Sequence, residues 1–93
     1  MPHVLIIHEV EDYPAWKAVF DQAATIRREA GERTYQVFQD VTDPNLVVHL
    51  STWTTTAAAR AFFESPELVA IRAEAGVRAP EFRYLTEVEA GTL

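Results

Sequence analysis

Apolar residues run almost without interruption from Leu46 to Trp53, Leu-Val-Val-His-Leu-Ser-Thr-Trp, and the pattern returns over residues 4–10. Runs this short and β-branched, bounded by turn signals, predict strands buried on both faces rather than half-exposed ones. Each carries one histidine, His49 in the first and His8 in the second. Between them the period changes to that of a helix: Trp16, Val19, Phe20, Ala23, Ile26 and Ala30 form one apolar stripe, with Lys17, Asp21, Arg27, Arg28 and Glu29 on the other side. Asp12 as cap, Pro14 in the first turn and Gly31 just past the end predict a single helix across this stretch. Glu9, Glu11 and Asp12 precede it and complement its partial positive end, which reads as capping and not as a metal site.

Residues 34–41 predict a strand in which Tyr35, Val37 and Phe38 stand among glutamines. Asp43-Pro44-Asn45 supplies the turn that joins it to Leu46–Trp53 as a hairpin. Thr55 then caps a helix to residue 64 with Ala58, Ala61 and Phe62 at helical spacing. Ser65 and Pro66 restart a second segment through Leu68, Val69, Ile71 and Arg72 to a stop at Gly76. Pro80 precedes a last strand over 82–88. The order is strand, helix, strand, strand, broken helix, strand. With right-handed crossovers this gives one α+β domain over 1–93, a ferredoxin-like βαββαβ arrangement with a four-stranded antiparallel sheet. Its two most apolar strands, the first and third, lie in the centre. Helices cover only one sheet face, so central strands apolar on both sides predict a second copy of the chain on the other, a symmetric homodimer.

Size and charge narrow the partners. A chain of 93 residues hides roughly two thirds of its unfolded surface, so a shared core is a natural gain. Fourteen acidic against eight basic residues give a net charge of -6, and the arginines are scattered. That disfavours nucleic acid and anionic membrane, both of which need clustered positive charge. No apolar run is long enough to span a bilayer, and the start lacks a signal-peptide pattern, which predicts a cytoplasmic protein. The absence of cysteine excludes disulfides and thiolate metal sites. There is no phosphate-binding glycine loop, no nucleophilic serine setting and no His-x-x-x-His spacing, so no metal and no nucleotide cofactor are expected. An uncharged or weakly charged organic ligand, here a small hydrophobic or aromatic molecule, or another protein chain, remains.

The histidines carry the candidate chemistry. An imidazole whose ordinary pKa near 6.5 is lowered by burial is neutral at pH 7 and can take a proton from an acidic carbon or a phenol. His8 and His49 are therefore the catalytic candidates. The plainer alternative has each of them bonding a backbone carbonyl or sitting at the dimer seam. Strand parity places Val47, His49, Ser51 and Trp53 on one face, and Val4, Ile6, His8 and Val10 on one face of the neighbour. The pairing register decides whether the two faces coincide. If they oppose, one histidine meets the pocket and the other the interface. Trp16, Phe20, Tyr13, Trp53 and Phe62 are candidates for substrate binding, by stacking on a planar ring or, for Tyr13, Tyr35 and Tyr84, by donating to an enolate oxygen. As core residues they would fill the same volume.

His8, Asp12-Tyr13, Trp16-Lys17, Phe20-Asp21, Arg28, Ala30-Gly31, Asp43-Pro44-Asn45, Trp53, Phe62 with Ser65, and Ala75-Gly76-Val77 together resemble the dimeric α/β-barrel superfamily. Within it the chain is similar to small antibiotic biosynthesis monooxygenase-like and cyclase proteins. The resemblance implies two ferredoxin-like subunits joined sheet to sheet, each with a pocket between sheet and helices. It also implies one of several activities: metal- and flavin-free oxidation of aromatic polyketides, polyketide cyclisation, lactone isomerisation, haem degradation, or none. The haem-degrading branch uses an asparagine, a tryptophan and a haem-ligating histidine at positions that fall on His8, Phe62 and Arg72, so the chain departs from it at all three. Falling where those relatives place their asparagine, His8 is the favoured pocket residue.

Two functions are thus expected. One is a cofactor-independent enzyme acting on an aromatic or polyketide-like carbonyl compound, as monooxygenase or cyclase, by histidine-assisted proton abstraction with His8 the favoured base. The other is a non-catalytic homodimer that binds a small ligand or serves as an accessory subunit. The enzyme needs an open pocket with a histidine exposed to it, whereas the structural dimer would have that volume filled by Trp16, Phe20 and Trp53.

Overall fold

Three side-chain oxygens begin the main helices: Asp12 accepts from the amide of Ala15, Thr55 from that of Ala58 and Ser65 from that of Leu68. The computed structural model describes residues 1–93 and runs β1 (His3–Val10), α1 (Tyr13–Gln22), α2 (Ala24–Ala30), β2 (Glu32–Gln39), β3 (Leu46–Trp53), α3 (Thr56–Phe63), α4 (Pro66–Glu74) and β4 (Val77–Leu85). The strands form one antiparallel sheet in the order β2-β3-β1-β4, so the two apolar strands are central as expected. In the hairpin turn Asp43 accepts from the amide of Asn45. The Asn45 side chain accepts from Tyr13 N and donates to the Glu11 carbonyl, clamping the β1–α1 corner.

Four local expectations change. The helix between Asp12 and Gly31 is two helices, parted at Ala23, because the carbonyl of Phe20 is taken by the guanidinium of Arg27. β2 begins earlier, at Glu32, directly after Gly31. β4 begins at Val77 and ends at Leu85, with Pro80 inside it. A bulge accommodates that proline: Ile7 pairs with Glu81 but Glu9 with Arg78, and Ala79 takes a positive φ of 46°. On α3 the buried face is Ala59 and Phe63, one turn apart, while Ala61 is exposed.

The register Ile6↔His49 and His8↔Val47 puts Val4, Ile6, His8 and Val10 on the same face as Val47, His49, Ser51 and Trp53, all buried against the helices. Two apolar clusters result. Val4, Ile6, Trp53, Ala59 and Phe63 pack at one end, and Val10, Trp16, Phe20, Val47 and Ala75 at the other. The two histidines lie between them along the sheet. Leu5, Ile7, Val48 and Leu50 point the opposite way and are only part-covered.

Gly31 controls where β2 starts. Its φ is 133°, and a Cβ there would lie 2.7 Å from Oγ1 of Thr54, whose amide donates to the Gly31 carbonyl. Any side chain meets both a strained backbone and a clash. Gly31→Ala is expected to lower stability by about 2 kcal/mol, read as a fall in the midpoint of urea unfolding; an unchanged midpoint would show that the turn relaxes freely.

Candidate functional site

Between sheet and helices lies a cavity of about 60 Å³ bordered by His8 and His49 from the sheet, Trp16 and Phe20 from α1, Phe62 from α3 and Arg72 from α4. That volume holds about two waters, less than a whole planar aromatic molecule. Val19, Ala23 and Ile71 line both the cavity and an outer groove between α1–α2 and α4, and so form the wall between the two.

His8 is 4% exposed and neither of its ring nitrogens has a hydrogen-bond partner. Its ring stands edge-on to Trp16, centroids 5.2 Å apart. Burial, assisted by the charges of His49 and Arg72, pushes its pKa down to about 4, so it is neutral at pH 7 and a weak base.

His49 is placed differently. It belongs to a chain of three buried polar residues with Glu32 and Arg27. The Nε of Arg27 donates to Oε1 of Glu32 at 2.7 Å, and Oε2 of Glu32 lies 2.9 Å from Nε2 of His49. The ring N–H is not well lined up on that oxygen, so the attraction is chiefly electrostatic. Burial opposes the charge on Glu32, but the nearby His49 and the hydrogen-bonded guanidinium of Arg27 outweigh it and hold the carboxyl below the usual range. Arg27 also stacks 3.7 Å over the ring of Phe20. Removing Arg27 or Glu32 alone would leave its partner's buried charge uncompensated, at a cost of roughly 3 to 5 kcal/mol. An ionised Glu32 favours the tautomer of His49 with its proton on Nε2, leaving Nδ1 as the accepting nitrogen.

The structure brings His8, His49, Trp16, Phe20 and Phe62 together at the cavity and leaves the other candidates outside. Trp53 is fully buried, packed on Phe62 and Phe63, with its indole N–H donating to Ser51 at 2.9 Å. Tyr13 packs on the outer side of Trp16. Tyr35 and Tyr84 are also elsewhere, under the guanidinium groups of Arg27 and Arg60. Neither cavity histidine reaches the far sheet face. The residues that sequence reasoning missed are Arg27, Glu32 and Arg72. Arg27 was placed on the solvent side, although it falls seven residues after Phe20 and so shares its face.

Stability should report the burial of His8. A histidine that is neutral when folded and has a pKa near 6.5 when unfolded binds more protons unfolded than folded between those two values. Stability is then full above pH 6.5 and falls as the pH drops toward 4, by about 3 kcal/mol. Glu32, with its lowered pKa, loses its contribution only below the unfolded carboxylate value. Urea midpoints measured across this range should decline in the native chain and stay nearly level from pH 6.5 to 5 in His8→Leu. Parallel curves for the two would remove His8 as the source.

No protein of curated function matches the chain in sequence. Solved structures do match in shape. SnoaB, a cofactor-independent oxygenase from Streptomyces nogalater, superposes with a TM-score of 0.79 at 15% identity, covering 96% of this chain and 94% of that one. Rv0793 from Mycobacterium tuberculosis gives 0.68 at 19% identity, covering 99% and 100%. Identities this low carry the fold and not the roles of residues. The sequence profile of the antibiotic biosynthesis monooxygenase family matches residues 8–74, from the cavity histidine of β1 to the end of α4. The chain belongs to the antibiotic biosynthesis monooxygenase family.

Proposed function

We propose that the chain is a cofactor-independent monooxygenase that oxidises an activated methylene or phenolic carbon of an aromatic, polyketide-like carbonyl compound. The observation that carries this reading is the placement of two buried histidines on adjacent strands at one cavity, one of them backed by a buried carboxylate. Family membership and the cofactor-independent oxygenase among its structural neighbours support it.

The geometry favours His49 as the base and gives His8 another part. A base works best with a pKa near the working pH, and at about 4 His8 is too weak. Nδ1 of His49 takes the substrate proton, and Glu32 stabilises the resulting imidazolium as a positioning residue. The substrate carbanion passes one electron to dioxygen. The radical and superoxide then join as a carbon–oxygen bond, and protonation gives a hydroperoxide. Loss of water from it turns the original CH2 into C=O, so one O2 yields one ketone oxygen and one water. His8, neutral, donates to the substrate carbonyl oxygen as charge gathers there. Trp16 and Phe20 hold the ring.

The second part of the reading is a homodimer across the far face. Leu5 pairs with Leu50 and Ile7 with Val48, with Phe38 and Leu85 beside them still 47% and 40% exposed. Such a patch at the middle of a sheet is costly in water.

With an anthrone as substrate, the native chain should consume one O2 per quinone formed. His49→Ala should lose a factor of about a hundred to ten thousand in kcat, and Glu32→Gln should lower kcat with little change in KM. Absence of oxygen uptake by the native chain, with ligand binding intact, would favour the accessory-protein reading. Light scattering should give the mass of two chains for the native protein and of one for Val48→Lys; a native monomer would refute the dimer.

A further inference from the structure

The overall charge of the chain is negative, -6, yet the charge at the cavity has the opposite sign. No carboxylate lines the cavity, and its only charged lining residues are Arg27 and Arg72. Glu32 neutralises Arg27. Arg72 has no carboxylate within ion-pair distance: its Nη1 donates to the Phe63 carbonyl at 2.9 Å, and its guanidinium lies 5.0 Å from the centre of the Phe82 ring. One part-buried cation therefore stands without a carboxylate partner at the edge of an apolar wall. Facing the same space is His8, nine-tenths buried and more, with two nitrogens that bond to nothing. Buried polar groups without partners are rare, and a cation among apolar groups attracts an anion more strongly than one in water.

From this juxtaposition we propose that Arg72 and His8 form an oxyanion subsite, and that the ligand is a planar aromatic bearing an enolate, phenolate or carboxylate oxygen. The oxygen lies between the Arg72 guanidinium and a ring N–H of His8. The ring lies against Trp16 and Phe20, and the rest of the molecule reaches past the Val19–Ala23–Ile71 wall toward the outer groove, because 60 Å³ accepts the charged group and not the whole molecule. Arg72 is then a specificity residue: it selects ligands that are already ionised or readily become so. This deepens the monooxygenase reading and rests on it only in taking the cavity as the substrate site; the subsite itself is a statement about binding.

The probe is 4-nitrophenol, whose colour reports its ionisation, buffered near its own pKa. Bound probe should be phenolate, so absorbance of the anion should rise on adding protein, and the neutral isostere 4-nitroanisole should bind at least tenfold more weakly. Arg72→Met should abolish the colour change and the tenfold preference while still binding 4-nitroanisole, which shows that the variant is folded; Arg72→Lys should restore most of both. Tighter binding of 4-nitrobenzoate than of the phenolate would support the subsite with a carboxylic acid as its ligand class, and the reverse order would support it with an enol or phenol. Equal affinity for phenolate and anisole, or a preference unchanged in Arg72→Met, would overturn the proposal. Selective phenolate binding without oxygen uptake from an anthrone would keep the subsite and dismiss the oxygenase, so the two readings fail separately.

Discussion

The carboxylate of Glu32, buried between Arg27 and His49, organises more of this molecule than any apolar contact. To reach it, Arg27 turns inward from α2, takes the Phe20 carbonyl out of the helix ladder and stacks on the Phe20 ring. The helix therefore breaks at Ala23, which lines the wall between the cavity and the outer groove. On the strand side the same carboxylate holds one edge of His49. A buried charge of this kind contributes little net stability and is costly to disrupt, which makes it a device for fixing geometry.

The consequence for chemistry is a division between two histidines that strand pattern and parity alone treat as equivalents. Both come from apolar strands and both end on the same face, yet one has a carboxylate partner and the other has none. Burial leaves His8 neutral, whereas His49 has the Glu32 carboxylate 2.9 Å from its Nε2. The cation on α4 adds a third polarity to the same space.

The fold was legible because its signals were local and agreed with one another. Asp12, Thr55 and Ser65 cap as their residue types predict, Asp43-Pro44-Asn45 turns, and the two apolar strands are central. The errors arose where a side chain answered to something distant. Arg27 looked solvent-facing because its partner lies across Gly31 in β2, and Pro80 looked like a boundary because a bulge is needed to keep it inside a strand. The histidine faces were undecidable from parity, since parity fixes faces within a strand and only the pairing fixes them between strands. Trp53 appeared a plausible platform for a ring, but its indole is spent on Ser51 and its faces on Phe62 and Phe63.

The irregularity at Ala79 and Pro80 reaches beyond β4 itself. This strand borders the sheet, and an unbroken border offers a row of free amides and carbonyls to any passing chain. Here a left-handed residue and a ring without an N–H interrupt that row, making lateral growth into a continuous ribbon unfavourable. A neighbouring chain is thereby denied one of the two sheet borders, while the broad side formed by Leu5, Ile7, Val48 and Leu50 stays open to contact.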